Sequence, residues 1–295
     1  MHPYTFFIKP CPMRNTSSEN LTALTQNSFN KLPDQRLQFI IKSLVGHLHD
    51  FARDTKLTHE EWRAGLDFLH RASAITDESR SEFSLMSDVF GLSSLIDLLA
   101  MGSEKATPGS NLGPFHSRGS PVMQSPANLL RDNPGQAAVF RGKVLDLRGK
   151  PIANATVDFW QNADNGLYWQ QEPEQPQDNL RCMLQAQEDG SFEIATIRPK
   201  PYTIPMDGPV GAMFEQSKRS PWRPAHLHLI VEAPGHRTLV TEIFDEEDPY
   251  LDNDAVFGVR EVLVAKYKPV VDPQLLSRYK EHKNLLEVNL DLVLE

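Results

Sequence analysis

The stretch Trp222-Arg223-Pro224-Ala225-His226-Leu227-His228-Leu229-Ile230-Val231 is the most informative part of this 295-residue chain. Its alternating pattern predicts a β-strand, on which residues two apart share a face. His226 and His228 then converge on one side, while Leu227 and Leu229 face the other. This geometry suits two imidazoles on one metal ion, although an isolated His-x-His pair is more often incidental.

Short strand-like segments surround this stretch throughout the C-terminal half of the chain. They alternate between apolar and polar residues and are separated by turn signals such as Arg148-Gly149-Lys150 and Asp189-Gly190. The segments are 137–147, 155–160, 191–198, 225–232, 238–244, 256–265 and 286–294. We therefore expect a β-sandwich domain, or a barrel, over residues 136–295.

The N-terminal half has a helical period instead. Apolar residues recur every three or four positions between Leu37 and Phe51, and Thr58-His59-Glu60-Glu61 is a plausible capping box for a second helix. A third apolar stretch covers 83–101. We expect a loose polar leader over 1–30, a helical domain over 31–102 and, where Pro and Gly are dense, an extended linker over 103–135 that contributes to the pocket. The predicted fold is mainly β with α.

Composition excludes several classes of protein. The net charge of -9 and pI of about 5.6 make nucleic acid a poor partner. The two cysteines, Cys11 and Cys182, are far apart and form no disulfide framework or paired-cysteine metal site. No run approaches the roughly 20 apolar residues that span a bilayer. We expect a cytoplasmic protein without a membrane anchor.

Two of the six tyrosines lie in turn-rich segments upstream of the histidine pair, at Tyr168 and Tyr202. Taken singly, each is better interpreted as a loop residue whose ring packs while its hydroxyl is hydrated. Taken with the histidines, they offer a second interpretation. Phenolate is a hard anionic ligand that suits a highly charged metal such as Fe(III).

With these residues the chain resembles the intradiol ring-cleavage dioxygenases, over roughly 83–257. The motif Arg-Pro-Ala-His-x-His, at 223–228 and after two tyrosines, is the most specific part of the resemblance. The supporting segments are Leu112-Gly113-Pro114-Phe115, 153–161, 165–168, 233–236 and 248–251.

The resemblance implies a ferric ion held by Tyr168, Tyr202, His226, His228 and a solvent hydroxide. It also implies that an aromatic diol binds as a dianion, displacing the hydroxide and Tyr202, whose oxygens can accept the substrate protons. Arg223 would stabilise negative charge on the substrate while O2 is inserted into the ring. In relatives the N-terminal helices form a homodimer interface that can hold a lipid, so we expect a homodimer.

Within the family, the chain is most similar to the hydroxyquinol (benzene-1,2,4-triol) 1,2-dioxygenases, on the runs 202–211 and 254–257. The implied product is 3-hydroxy-cis,cis-muconate or its tautomer maleylacetate. Asp88 would accept a hydrogen bond from the additional hydroxyl, although an exposed helical aspartate is an equal alternative. The implied substrate pocket comprises Leu85, Asp88, Leu112, Gly113, Pro114, Phe115, Ile204, Pro205 and Val256.

Several departures from the family pattern keep the substrate open. Gly109-Ser110-Asn111 is unusual, and Asn111 is polar where an aliphatic side chain is expected. Met206 is unusual too. Catechol or a substituted catechol therefore stays an alternative substrate.

Two other classes of protein remain. A two-histidine, one-carboxylate Fe(II) dioxygenase or a zinc hydrolase could recruit Glu232 or Glu242, but this leaves both tyrosine segments unexplained. A non-catalytic sandwich module that binds a partner or a sugar would need no iron. The metal content of the purified protein separates the three.

Overall fold

The computed structural model describes residues 13–77 and 80–295. The chain divides into two compact units between His70 and Arg71, whereas the sequence predicted a boundary after residue 102. Cys11 and the first twelve residues of the predicted leader lie outside the described residues.

The smaller unit is helical. After a single 3-10 turn at Met13–Asn15 it contains α1 (Leu21–Ser28), α2 (Gln35–Asp54) and the start of α3 (His59–Ala74). Asp34 caps α2 by accepting hydrogen bonds from the backbone N–H groups of Arg36 and Leu37 at 2.8 and 3.0 Å. The predicted capping box of α3 is present, since Thr58 N donates to Glu61 Oε2 at 2.9 Å and Glu61 N donates to Thr58 Oγ1 at 3.2 Å.

Helix α1 contradicts the prediction of a loose leader over residues 1–30. Gln26 donates to the backbone oxygen of Lys42 at 2.8 Å, and Thr22 Oγ1 lies 3.0 Å from His49 Nδ1. Both partners are on α2. These tertiary contacts stabilise a helix that its polar composition does not indicate.

The larger unit begins with the end of α3 and continues with α4 (Glu82–Val89) and α5 (Leu92–Ala100). The sequence predicted one helix over 83–101, but Gly91 adopts a left-handed φ of 73° and separates the two. Among the described residues, no helix taken alone has the length and apolarity to cross a membrane. Helices α4 and α5 taken together are long and apolar enough, but the pair is bent by 71°.

Two sheets follow the helices. The strands are β1 (Ala127–Asn128), β2 (Ala137–Asp146), β3 (Thr156–Trp160), β4 (Arg181–Gln185), β5 (Ser191–Ile197), β6 (Tyr202–Thr203), β7 (Trp222–Arg223), β8 (His226–Glu232), β9 (Leu239–Asp245), β10 (Val264–Ala265), β11 (Lys268–Pro269), β12 (Leu286–Asn289) and β13 (Leu292–Leu294). One sheet has the order β1-β5-β2-β12-β11, with β13 also paired to β2, and the other has the order β10-β9-β8-β3-β4. Strands β6 and β7 form a separate antiparallel pair. Helices α6 (Pro209–Ser217) and α7 (Pro273–Arg278) interrupt the series.

Both sheets contribute to a single apolar core. Phe140 and Ile194 come from the first sheet, and Phe159 and Leu229 come from the second; all four are fully buried. Burying one such side chain contributes roughly 1.5–3 kcal/mol. The predicted fold of N-terminal helices and a C-terminal sandwich is confirmed, and the strand with the two histidines, β8, is the central strand of the second sheet.

The segment predicted as a strand at 256–265 is mostly irregular, and only Val264–Ala265 pairs with a neighbour. Asp254 accounts for this. Its carboxylate accepts hydrogen bonds from the N–H groups of Val256 at 3.3 Å and Gly258 at 2.8 Å, which closes a turn instead of extending the chain.

Candidate active site

Two imidazoles face each other at the start of β8. His226 and His228 are both buried, and their Nε2 atoms lie 3.1 Å apart. His226 Nδ1 lies 2.6 Å from the backbone oxygen of Pro224, so this nitrogen carries the proton and Nε2 keeps its lone pair. The ring of Trp160 stacks on His228 at 4.7 Å and fixes its plane. Two converging lone pairs are a suitable site for a cation.

Burial keeps both imidazoles neutral. It lowers the pKa of His226 to about 4, with a further contribution from the Arg223 guanidinium. Burial also lowers the pKa of His228 well below its usual range, followed by the effect of His226. Neutral imidazole is the form that binds metals, so both rings are ready to act as ligands at neutral pH.

Tyr168 and Tyr202 complete the group. The ring centroids of the two tyrosines are 5.6 Å apart, and they lie 6.2 Å (Tyr168) and 5.5 Å (Tyr202) from the rings of His228 and His226. Burial raises the pKa of both phenols, and for Tyr168 the neighbouring Tyr202 adds to the effect. The hydroxyl of Tyr168 is buried and has no hydrogen-bond partner within the described residues. A cation at this point would satisfy that oxygen and offset the cost of ionising the phenol, so these four residues fit a metal ion.

Local structure explains the position of Tyr168. Gly166 has a left-handed φ of 81°, and a Cβ there would lie 3.3 Å from the backbone oxygen of Pro201. Gln171 Oε1 accepts a hydrogen bond from Tyr168 N at 2.9 Å, and Phe115 stacks on the tyrosine ring at 4.4 Å. The turn at Gly166 thus places the Tyr168 ring against Phe115.

Arg223 lies in a buried ion network. Nη1 and Nη2 donate to the two oxygens of Glu242 at 2.7 and 3.0 Å, and Nε donates to Asp254 at 3.1 Å. Ser110 Oγ also donates to Glu242, at 2.6 Å. Burial raises the pKa of Glu242, but the Arg223 guanidinium outweighs this effect and holds that pKa well below its usual range. Glu242 is therefore an ionised carboxylate next to the histidines.

The two carboxylates of the alternative metal sites differ. Glu242 could form a three-residue group with His226 and His228, since their ligand atoms all lie within 4.8 Å of one another. However, Arg223 and Ser110 occupy both of its oxygens. Glu232 is exposed at the far end of β8 and cannot reach the histidines.

A cavity of about 1110 Å³ opens beside these residues, in the larger unit. It is lined by Tyr202 and by eight of the nine residues predicted to bind substrate, namely Leu85, Asp88, Leu112, Gly113, Pro114, Phe115, Ile204 and Pro205. Val256 is not part of the wall. It lies behind Asn111, whose Nδ2 is 3.4 Å from the Val256 backbone oxygen.

Other residues that line the cavity are not among the nine predicted to bind substrate. Asp97, Ser110 and Asn111 also line the cavity. Asn111 is 5% exposed, and its Oδ1 has no hydrogen-bond partner within the described residues. The unusual Gly109-Ser110-Asn111 run was the signal that could have identified two of them.

Comparison with known proteins gives consistent matches over nearly the whole chain. Residues 112–295 match the family model described as dioxygenase, and residues 34–107 match the one described as catechol dioxygenase N terminus. A 6-chlorohydroxyquinol 1,2-dioxygenase of Cupriavidus pinatubonensis is 41% identical over 258 residues, which cover 86% of this chain and 93% of the relative. A hydroxyquinol 1,2-dioxygenase of Rhizobium sp. is 42% identical over 82% of both chains.

Among solved structures, the hydroxyquinol 1,2-dioxygenase of Pseudomonas putida superposes with a TM-score of 0.84 at 39% identity. The match covers 94% of this chain and 98% of that one.

Proposed function

Because this chain belongs to the intradiol ring-cleavage dioxygenase family, we propose that it cleaves hydroxyquinol (benzene-1,2,4-triol) with O2. Both oxygen atoms enter between the two adjacent hydroxyl-bearing carbons, and the product is 3-hydroxy-cis,cis-muconate, a tautomer of maleylacetate. The observation that carries the proposal is that the Nε2 atoms of His226 and His228 lie together next to Tyr168 and Tyr202, beside an open cavity. The names of the relatives support the choice of substrate.

The metal in this proposal is Fe(III), held by Tyr168, Tyr202, His226 and His228. Two hard phenolates together with two neutral imidazoles suit a trivalent ion better than Zn²⁺, which favours thiolate and imidazole ligands. When bound, the iron would activate the coordinated diol for reaction with O2. The chain itself binds and orients the diol and moves its protons.

Tyr202 is the better candidate for taking up a substrate proton. It lines the cavity, whereas Tyr168 is 1% exposed and packed under Phe115. The Oη of Tyr202 can therefore meet an incoming hydroxyl, while Tyr168 stays in place. The raised pKa of Tyr202, caused by burial, favours the protonated form that results.

Arg223 would stabilise negative charge on the bound diol. Four of its five N–H groups point at the carboxylates of Glu242 and Asp254, at distances between 2.7 and 3.4 Å. The remaining N–H is on Nη1, which lies 3.4 Å from His226 Nε2. This N–H is the one that would donate a hydrogen bond to a negatively charged oxygen of the bound diol.

The cavity wall suits an aromatic triol. Apolar faces of Leu85, Leu112, Pro114 and Ile204 would contact the ring, and Asp88 would accept a hydrogen bond from the third hydroxyl. Burial raises the pKa of Asp88. A substituted catechol is the second candidate. The cavity of about 1110 Å³ slightly exceeds the range of about 300–1,000 Å³ typical of sites for drug-sized ligands, so it accommodates more than one ring.

Oxygen uptake tests the function directly. The purified protein, assayed for iron, is given hydroxyquinol and catechol in parallel, with correction for autoxidation and with isotopically labelled O2. We expect fast uptake with hydroxyquinol and two labelled oxygens in the ring-opened product. Faster uptake with catechol would overturn the substrate but keep the reaction, and one labelled oxygen per product would overturn the reaction.

We also propose that the helical unit forms a homodimer interface and that a lipid can lie between the two subunits, as the family resemblance implies. Helices α2 and α3 leave large apolar side chains half-exposed, including Phe39, Leu44, Leu48, Phe51 and Trp62. A second subunit or a lipid tail would cover them. The expected cytoplasmic location, based on cysteine usage, belongs to the same proposal.

A further inference from the structure

Glu242 is a buried carboxylate that lies between the proposed ligands and Arg223. We propose that it is a positioning residue, which holds the Arg223 guanidinium and the His228 imidazole together in the orientation that the metal centre requires. The inference rests on the proposed function above. It assigns a role to a residue that the proposed reaction does not otherwise use.

Strand register places Glu242 beside the histidines. Strands β8 and β9 are antiparallel, and Glu242 pairs directly with His228, so the two side chains share one face of the sheet. Glu242 Oε1 lies 3.3 Å from His226 Nε2 and 3.6 Å from His228 Nδ1. A single oxygen atom is thus adjacent to both imidazoles.

The two histidines differ in what orients them. His226 Nδ1 donates to the backbone oxygen of Pro224, but His228 Nδ1 has no hydrogen-bond partner within the described residues. The acceptor that faces His228 Nδ1 is Glu242 Oε1. A carboxylate next to the second nitrogen of a ligating imidazole fixes its tautomer and raises its basicity.

Glu242 is itself held rigidly. It forms a two-pronged pair with Arg223, and Ser110 Oγ donates to its Oε2. The backbone of Gly258 closes the space on the other side, since a Cβ there would lie 2.8 Å from Oε2. Because both oxygens are engaged, Glu242 acts through its neighbours and is not a third protein ligand beside the histidines.

The negative charge of Glu242 also matters. Arg223 is 3% exposed, and a buried guanidinium requires compensation. Asp254 compensates it through Nε and Nη2, whereas among the described residues Glu242 is the carboxylate within 4 Å of the ring nitrogens of His226 and His228. Two carboxylates therefore pair with Arg223, and of the two it is Glu242 that lies next to the proposed histidine ligands. This difference supplies a matched control.

The test compares Glu242→Gln with Asp254→Asn. Each change removes one negative charge from Arg223 with little change in size, but only the first alters the neighbour of His228. The readouts are iron per subunit, the wavelength of the phenolate-to-iron absorption band, and kcat and KM for hydroxyquinol. Circular dichroism and Tm show whether each variant is folded.

For Glu242→Gln we expect a shifted absorption band and a kcat lower by about 10–100-fold, with a much smaller change in KM. Asp254→Asn should lower kcat but keep the wild-type band. Ser110→Ala, which removes one hydrogen bond to Glu242, should shift the band in the same direction by less. It serves as the test if Glu242→Gln does not fold.

Three outcomes would overturn the inference. A wild-type band and kcat in Glu242→Gln would remove any positioning role. Equal losses of kcat in both variants with unchanged bands would reduce Glu242 to an anchor for Arg223. A folded Glu242→Gln protein that binds no iron would make Glu242 a ligand. By contrast, a wild-type protein without ferric iron or the band would contradict the proposed function itself.

Discussion

Tyr168 and Tyr202 belong to the same group of side chains but differ in their surroundings. The Oη of Tyr168 is buried without a hydrogen-bond partner in the part of the chain described, and Phe115 covers its ring at 4.4 Å. An unsatisfied buried hydroxyl costs about 1–3 kcal/mol. Such a cost is reasonable where a bound cation removes it, so Tyr168 should be the residue most dependent on the metal.

We therefore predict that Tyr168→Phe lowers iron retention at least about tenfold and removes most of the activity, because an anionic oxygen ligand is lost. The metal-free variant should unfold at the same temperature as the metal-free wild type, or slightly higher. Iron per subunit and Tm are the measurements. Tyr267→Phe is the matched control, since Tyr267 is buried in the sandwich core beside Arg198. Full iron and turnover in Tyr168→Phe would remove Tyr168 from the proposed site.

Asn111 is another buried polar group with an unused acceptor. Its Nδ2 lies 3.4 Å from the Val256 oxygen, while its Oδ1 has no protein partner among the described residues. We predict that Asn111→Val stabilises the free protein by about 1 kcal/mol and raises KM for hydroxyquinol more than for catechol. Urea unfolding and parallel kinetics check both parts. Leu112→Val, at the next position on the cavity wall, should change KM for both substrates alike, and the same pattern in Asn111→Val would make it a packing residue.

The pKa of His226 gives the metal-free protein a defined pH dependence. Burial lowers this pKa from 6.5 to about 4. Between these values the unfolded chain binds the proton and the folded chain does not, so stability falls as the pH falls. The loss between pH 7 and pH 4 should reach up to about 3 kcal/mol from this residue. Urea unfolding of the metal-free protein and of His226→Gln, which should lose less over the same interval, measures it. Equal losses in both would mean that His226 titrates normally.

At the scale of elements, alternation along a strand was a reliable guide. The stretch around His226 and His228 is β8, and neighbouring predictions correspond to β2, β3, β5 and β9. The pattern failed where side chains override it. Asp254 turns residues 254–258 by accepting backbone hydrogen bonds, and contacts with α2 order α1.

The partners of Arg223 could not be predicted from the neighbouring sequence either. Glu242 lies 19 residues further along the chain and Asp254 lies 31 residues further. Only the register of β8 with β9, together with the turn at Asp254, brings these carboxylates to the guanidinium. The four ligands came from the resemblance and stay a prediction, while Glu242 entered the sequence analysis only as an alternative metal ligand.

The break between α4 and α5 positions one wall of the cavity. Gly91 has φ 73°, and a Cβ at this position would lie 3.4 Å from the Phe257 ring. We predict that Gly91→Ala costs about 1 kcal/mol of stability and raises KM, because α4 carries Leu85 and Asp88. Gly65→Ala in α3 is the control, since a Cβ there meets nothing within 4 Å and should stabilise by about 0.5–1 kcal/mol. Equal unfolding free energies for the two variants would contradict the strained turn.

At the scale of the whole molecule, the proposed active site and the proposed dimer interface lie on different parts of the chain. Every residue that lines the cavity is numbered 77 or higher, so each belongs to the larger unit. The half-exposed apolar side chains of α2 belong to the helical unit. A change on α2 should therefore alter assembly without altering the cavity.

A substitution at Phe39 tests whether assembly and activity are independent, since this side chain is 63% exposed on α2. We predict that Phe39→Glu converts a dimer into a monomer, because a charge cannot be buried cheaply in an apolar interface. Activity per subunit with hydroxyquinol should stay within about twofold, since surface changes rarely perturb a distant site. Light scattering after size exclusion gives the mass, and Glu60→Lys, on the exposed first turn of α3, is the control. A wild-type monomer would contradict the dimer, and a monomeric variant without activity would mean that the second subunit is needed to complete the site.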